Sequence, residues 1–130
     1  MSVTLRRYDP SRDFAGVRKL LIDTYHAFGK PLNWRIERWN YARYFGVPYL
    51  CRDEEITPEK SAEAIRMWEG SVGVWEDDDR IVGAAHTEHP RLGDAFIQRH
   101  PRYNHLLAEM LDFSESHLLD TEKRMLRLFV

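Results

Sequence analysis

The sequence predicts an α/β (α+β) fold, a mixed sheet with helices on both faces. Three observations carry this. Apolar spacing gives the order strand, three helices, hairpin, strand, helix, strand. The last three elements form a strand–helix–strand unit of the size of a parallel crossover, which should be right-handed. The two strands before it, joined by a short acidic turn, should pair antiparallel. With 130 residues, 43% hydrophobic and 31% charged, the chain reads as one globular domain, residues 1–130, with room for a core.

Val3–Tyr8 alternates in character and reads as the first strand. Asp9-Pro10 stops it, and Ser11 or Asp13 can cap the next element. Phe14, Val17, Leu20, Leu21 and Phe28 recur at helical spacing, and Gly29-Lys30-Pro31 ends that helix. Trp34–Phe45 reads as a second helix, with Gly46 and Pro48 as its stop. Its aromatics Trp34, Trp39, Tyr41, Tyr44 and Phe45 point to a helix buried over a wide face, or to rings that line a pocket or a contact.

Cys51–Ile56 is a polar connector. Cys51 is the lone cysteine, so no internal disulfide is possible, and its neighbours carry no nucleophile signature. Thr57-Pro58-Glu59 starts a third helix, with Ala62, Ile65 and Trp68 facing inward and Gly70 at its end. Ser71–Trp75 and Arg80–His86 then read as strands joined through Glu76–Asp79. That acidic run lacks the alternating ligands, central Gly and distant Glu of a calcium loop, so it reads as a solvated turn.

Asp94–Arg99 is the next strand. After His100-Pro101 an amphipathic helix, His105–Leu118, carries Leu106, Leu107, Met110, Leu111 and Leu118 on one face. Its start presents unpaired N–H groups and a positive dipole end, which suit an anion such as a phosphate. Met125–Val130 is a last strand, apolar enough to be central.

The net charge of −2, from 19 basic and 21 acidic residues, argues against a nucleic-acid partner. No apolar run is long enough to span a bilayer, and the N-terminus has no signal core. A cytoplasmic protein is the expectation. His86, His89, His100 and His105 do not have metal-ligand spacing, so no metal site is predicted. There is no Gly-x-Ser-x-Gly elbow and no Gly-rich nucleotide loop.

Val74-Trp75-Glu76-Asp77-Asp78-Asp79-Arg80-Ile81-Val82-Gly83-Ala84-Ala85, within this element order, resembles the second and third strands of the GNAT superfamily of acyl-CoA-dependent N-acyltransferases. Ala95–Pro101 looks like that family's fourth strand and the start of its cofactor loop, Leu106–Leu118 like the subsequent helix, and Met125–Val130 like its fifth strand. The resemblance implies a GNAT-like fold truncated after the fifth strand, either the N-terminal part of such a domain or the degenerate half of a tandem GNAT protein.

It also implies transfer of an acetyl group from acetyl-CoA to an amine of a small molecule or protein. The backbone of Phe96, Ile97 and Gln98 would hold the thioester carbonyl. Tyr103, Asn104 and His105 would stand at the phosphate end, although Asn104 is equally explained as a helix N-cap. Glu88 and His86, at the end of the third strand, are the candidate bases, against a competing reading as an exposed strand end.

In the family the loop after the fourth strand carries Gln/Arg-x-x-Gly-x-Gly/Ala. Here Arg102–Ala108 has no glycine and is shorter. The alternative expectation is therefore a non-catalytic GNAT-like domain serving as scaffold, regulator or dimerisation module. An exposed last strand would need cover, so a homodimer or a second GNAT domain is the expected partner.

Overall fold

The structure, a computed structural model, describes residues 2–50 and 55–130. Cys51 and most of the connector lie outside the described residues.

Five strands form one sheet in chain order: β1 (Val3–Arg7), β2 (Gly73–Asp77), β3 (Arg80–His86), β4 (Asp94–Arg99) and β5 (Arg127–Phe129). The first three pairings are antiparallel and β4–β5 is parallel. The expected mixed sheet with an antiparallel hairpin followed by a β–α–β unit is thus observed. The hairpin turn is tighter than its acidic run suggests. Only Asp78 and Asp79 leave the ladder, and Asp78 takes φ 54°, a left-handed conformation that Asp tolerates.

Helix α1 (Pro10–Phe28) starts from Asp9, whose carboxylate accepts from the Ser11 N–H. Neither Ser11 nor Asp13 is the cap. Gly29 closes the helix at φ 70°, its N–H donating to Tyr25 O. Helix α2 (Ile36–Tyr41) is shorter than expected and runs directly into a π-helical segment, Ala42–Leu50. Gly46 and Pro48 lie inside that segment. A glycine stops a helix by turning left-handed, as Gly29 does, and Gly46 has no positive φ.

Helix α3 (Pro58–Ser71) is capped by Thr57, whose hydroxyl accepts from the Lys60 N–H. Its buried line is Ser61, Ala64, Trp68 and Ser71, so Ala62 is not on it and Gly70 does not end it. A 3-10 segment, Pro101–Leu106, precedes α4 (Leu107–His117).

Alternation along the strands divides the core. Val74, Ala84 and Phe96 face α1 and the aromatic segment around α2 and α3, where Val17, Leu20, Trp34, Trp39 and Trp68 pack. Trp75, Ala85 and Ile97 face α4, against Tyr103, Leu106 and Met110. A bulge between Trp75 and Glu76 in the β2–β3 register puts both Ile81 and Ala84 on the α1 side. Helices therefore cover both faces, as expected.

The aromatic second segment is only partly buried. Trp34 and Trp39 are closed off, while Tyr41, Tyr44 and Phe45 are each at least half exposed. Strand β5 also departs from expectation. It is the outermost strand, not a central one, and all three of its residues are exposed. Apolar composition indicates that a strand can be covered on its faces. It does not say which neighbour it pairs with.

One ionic cluster fixes β1. The Arg6 guanidinium donates to both oxygens of Asp13 at 2.6 and 2.8 Å and to Glu76 at 2.7 Å, joining β1, α1 and β2. Asp13 is 2% exposed and also accepts from the Asp9 N–H. Burial pushes the Asp13 carboxyl up, but the bonds from Arg6 and Asp9 outweigh it, and it sits below its ordinary value. Its stabilising contribution is present above the unfolded value near 4 and is lost as pH falls through the lower folded value. Removing one member of such a pair leaves an uncompensated buried charge. Asp13→Ala should cost about 3 kcal/mol in urea unfolding at pH 7. A loss below about 0.5 kcal/mol would show that the cluster is not a fastening.

Candidate functional site

The candidate site lies where β4 and β5 part. The two strands pair only at Asp94–Arg127, Ala95–Leu128 and Phe96–Phe129. Beyond that point β4 continues through Ile97, Gln98 and Arg99 without a neighbour on that side. The Asn33 side-chain amide fills the gap, donating to Ile97 O at 3.0 Å and to Phe129 O at 2.7 Å. A small cleft of about 150 Å³ opens there, walled by Leu21, Thr24, Asn33, Trp34, Gln98 and Val130.

His86, expected at a strand end, is fully buried on the α1 side of the sheet. Four rings surround it: Trp34 at 4.6 Å, Trp39 at 5.2 Å, Phe96 at 6.0 Å and Trp68 at 6.4 Å between centroids. The 2.7 Å contact from Nδ1 to Thr87 O assigns the proton to Nδ1. Nε2, 3.4 Å from the Gln98 Nε2, then accepts from that amide, whose Oε1 accepts from the Trp34 N–H. Burial lowers the His86 pKa to about 4, although the bond to Thr87 acts the other way. At pH 7 the ring is neutral, and its free lone pair is directed at Gln98.

Glu88 lies just past β3 and is part-exposed. It holds Arg38 of α2 through two 2.8 Å bonds. The Arg38 guanidinium in turn lies over Trp34 at 4.6 Å and Phe96 at 5.0 Å. Phe96 stacks on Phe129 at 4.5 Å. His86, Glu88, Phe96 and Gln98 are thus brought together beneath the mouth. Ile97 packs on the opposite face and shares the mouth only through its carbonyl.

Tyr103, Asn104 and His105 fall elsewhere, on the 3-10 segment. Tyr103 is buried and donates its hydroxyl to Asp77. Asn104 is not a cap, since its side-chain oxygen accepts from Arg99 Nε at 3.0 Å. His100 is the cap. Its Nδ1 accepts from the Arg102 N–H at 3.2 Å and its carbonyl from the Tyr103 N–H at 2.9 Å. His105 is exposed, with its ring 5.9 Å from that of Tyr103. None of the four described positive-φ residues, Gly29, Asp78, Gly93 and Arg124, lies here. The segment therefore forms no cradle of converging backbone N–H groups, because the first of them are already taken by His100.

Sequence reasoning misses Asn33 and Arg38. Asn33 sits in a non-periodic stretch between Pro31 and α2, and an amide flanked by Leu32 and Trp34 is the only hint that it serves the interior. Among the described residues no group of three or more His, Cys, Asp or Glu side chains is placed to hold a metal ion. No described helix is long and apolar enough to cross a membrane.

The depressed His86 pKa has a stability consequence. The unfolded chain takes up the proton near pH 6.5 and the folded one only near 4. The His86 contribution is fully present above pH 6.5 and should fall by about 3 kcal/mol as pH drops to 4. His100 is also lowered, chiefly by burial, and adds in the same direction. The share due to His86 is the difference between the wild type and His86→Phe in urea midpoints across that range. Identical pH dependences would refute the assignment.

A scan against protein-family models and searches of curated proteins and solved structures return no match to this chain.

Proposed function

We propose that the chain is a GNAT-like domain of an acetyl-CoA-dependent N-acetyltransferase, acting on an amine of a small molecule or protein. The observation that carries this reading is the sheet: five strands in chain order, antiparallel except for a short β4–β5 pair that parts after Phe96 and Phe129. A parallel pair that opens leaves β4 backbone unpaired beside a cleft, which suits an extended acyl-pantetheine arm and a thioester carbonyl in need of N–H donors. In this reading Phe96, Ile97 and Gln98 flank the acyl group. Glu88, anchored by Arg38, is the carboxylate nearest the acceptor side. His86 positions Gln98 rather than serving as the base, being neutral, enclosed and already bonded at both nitrogens.

The phosphate end of the cofactor does not fit. His100 occupies the leading N–H groups of the 3-10 segment, and Tyr103 and Asn104 are committed to Asp77 and Arg99. This favours a second reading, a GNAT-like domain that does not catalyse and serves as scaffold, regulator or dimerisation module. A homodimer or a second GNAT domain would then be the partner.

Calorimetric titration of acetyl-CoA into this chain separates the two. Micromolar binding supports the first reading, and no heat up to millimolar cofactor supports the second. If the acyl arm enters the mouth, it must displace the Asn33 bridge. At about 1 kcal/mol for each of its two hydrogen bonds, Asn33→Ala should tighten acetyl-CoA binding about thirtyfold. Weaker binding would mean that Asn33 contacts the cofactor instead of competing with it.

A further inference from the structure

The π-helical segment Ala42–Leu50, running on from Tyr41, has two unlike sides. Ala42, Gly46, Val47 and Pro48 are buried, and the Pro48 carbonyl accepts from the Ser61 hydroxyl of α3 at 2.8 Å. The other side carries Tyr41, Tyr44, Phe45, Tyr49 and Leu50, each about half exposed or more. The division follows from the bonding. When N–H groups reach back five residues instead of four, residues four and five apart stand in line. Tyr41, Phe45 and the pair Tyr49 and Leu50 therefore fall along one stripe, and the rings of Tyr41 and Phe45 stack at 5.9 Å. Tyr44 stands beside the stripe, set by Phe14 edge-on at 5.6 Å and by the Arg43 guanidinium 5.1 Å from its ring centre.

This side is apolar and carries almost no charge. Arg43 is the one charged residue between 41 and 50, and it is paired with Glu69 at 3.6 Å. A half-exposed aromatic ring leaves about 100 Å² in water. The five side chains together present about 500 Å², toward the upper end of the largest patch a typical monomer shows. A stable interface takes about 800 Å² from each partner, apolar at its centre and polar at its rim. The stripe has the size and character of such a centre.

We propose that a second copy of this chain docks on this face, the two stripes packing across a two-fold axis. A two-fold contact sets a patch against itself, so a charged patch repels its own copy and a neutral one does not. The tyrosine hydroxyls supply donors and acceptors that pair reciprocally around the apolar centre. A membrane surface would call for free cations beside the stripe, and the cation here is held by Glu69. Strand β5, the other exposed apolar element, is three residues long, and an edge that short resists pairing with another chain. The proposal holds for either reading of the mouth, none of whose lining residues lies on this segment.

Sedimentation equilibrium of the whole chain from about 10 to 500 µM is the test. A dimer with a Kd of about 1 to 100 µM is expected. Phe45→Lys and Tyr49→Lys change side chains already in water and set like charges across the axis. Each should weaken the dimer by about tenfold or more, with the far-UV spectrum unchanged. Should Phe45→Lys fail to fold, the wild type and Tyr49→Lys decide. Leu128→Lys, on β5, should dimerise as the wild type does. The proposal is overturned if the wild type stays monomeric at about 500 µM, whether or not it then sediments with phosphatidylcholine–phosphatidylserine vesicles. It is equally overturned if the folded lysine variants of the stripe dimerise as the wild type does, or if Leu128→Lys alone disperses the dimer.

Discussion

The carbonyl of Thr87 holds the interior together. It accepts from the Trp68 indole at 2.8 Å and from the His86 ring at 2.7 Å, while the Thr87 N–H and hydroxyl engage Ser71 and the His89 carbonyl. Through His86 the chain of bonds reaches Gln98 on β4 and the backbone of Trp34 ahead of α2. A polar residue pair in such an aromatic core is tolerable only when every group is matched. Meeting that condition fixes α3, β3, β4 and the α1–α2 connection relative to one another. The mouth between β4 and β5 therefore has one rigid wall.

The opposite wall is slight. Strand β5 is three residues long, exposed, and joined to β4 by one ladder, the Asn33 bridge and the ion pair of Arg127 with Asp94 at 2.8 Å. The contrast suits a cleft whose width is set from the β5 side. Trp34 is common to everything of interest here. It packs on His86 and Phe96, lies beneath Arg38, and borders the mouth.

Much of the fold is legible in the sequence because its signals are local. The bounds of β3 and β4 follow from alternation and flanking turn residues, and they are found as read, at Arg80–His86 and Asp94–Arg99. The stop at Gly29 is legible for the same reason. Gly46 and Gly70 mislead because a glycine signals only that a left-handed turn is allowed. The candidate site is legible in part. His86 and Glu88 can be placed at the end of a strand, but the enclosure of His86 depends on Trp34, Trp39, Trp68 and Phe96, which come from four separate segments. No local pattern encodes that convergence. Asn33 is invisible for a related reason, since its partners lie 64 and 96 residues away.

Strand β1 pairs with β2 across all three intervening helices, Val3 opposite Asp77. The β2–β3 hairpin closes over a two-residue turn. The entropy of loop closure thus sets an order of assembly. The hairpin and its neighbour β4 can form early, and β1 must wait until a long loop has been gathered. Arg6 reaches Glu76, 70 residues away, only at that last docking, whereas Asp13 is seven residues off and can be met locally. The ionic cluster then acts as a latch on a completed sheet. A contact formed only after the folding transition state slows opening and leaves the folding rate nearly untouched, and the Arg6–Glu76 bond is of that long-range kind.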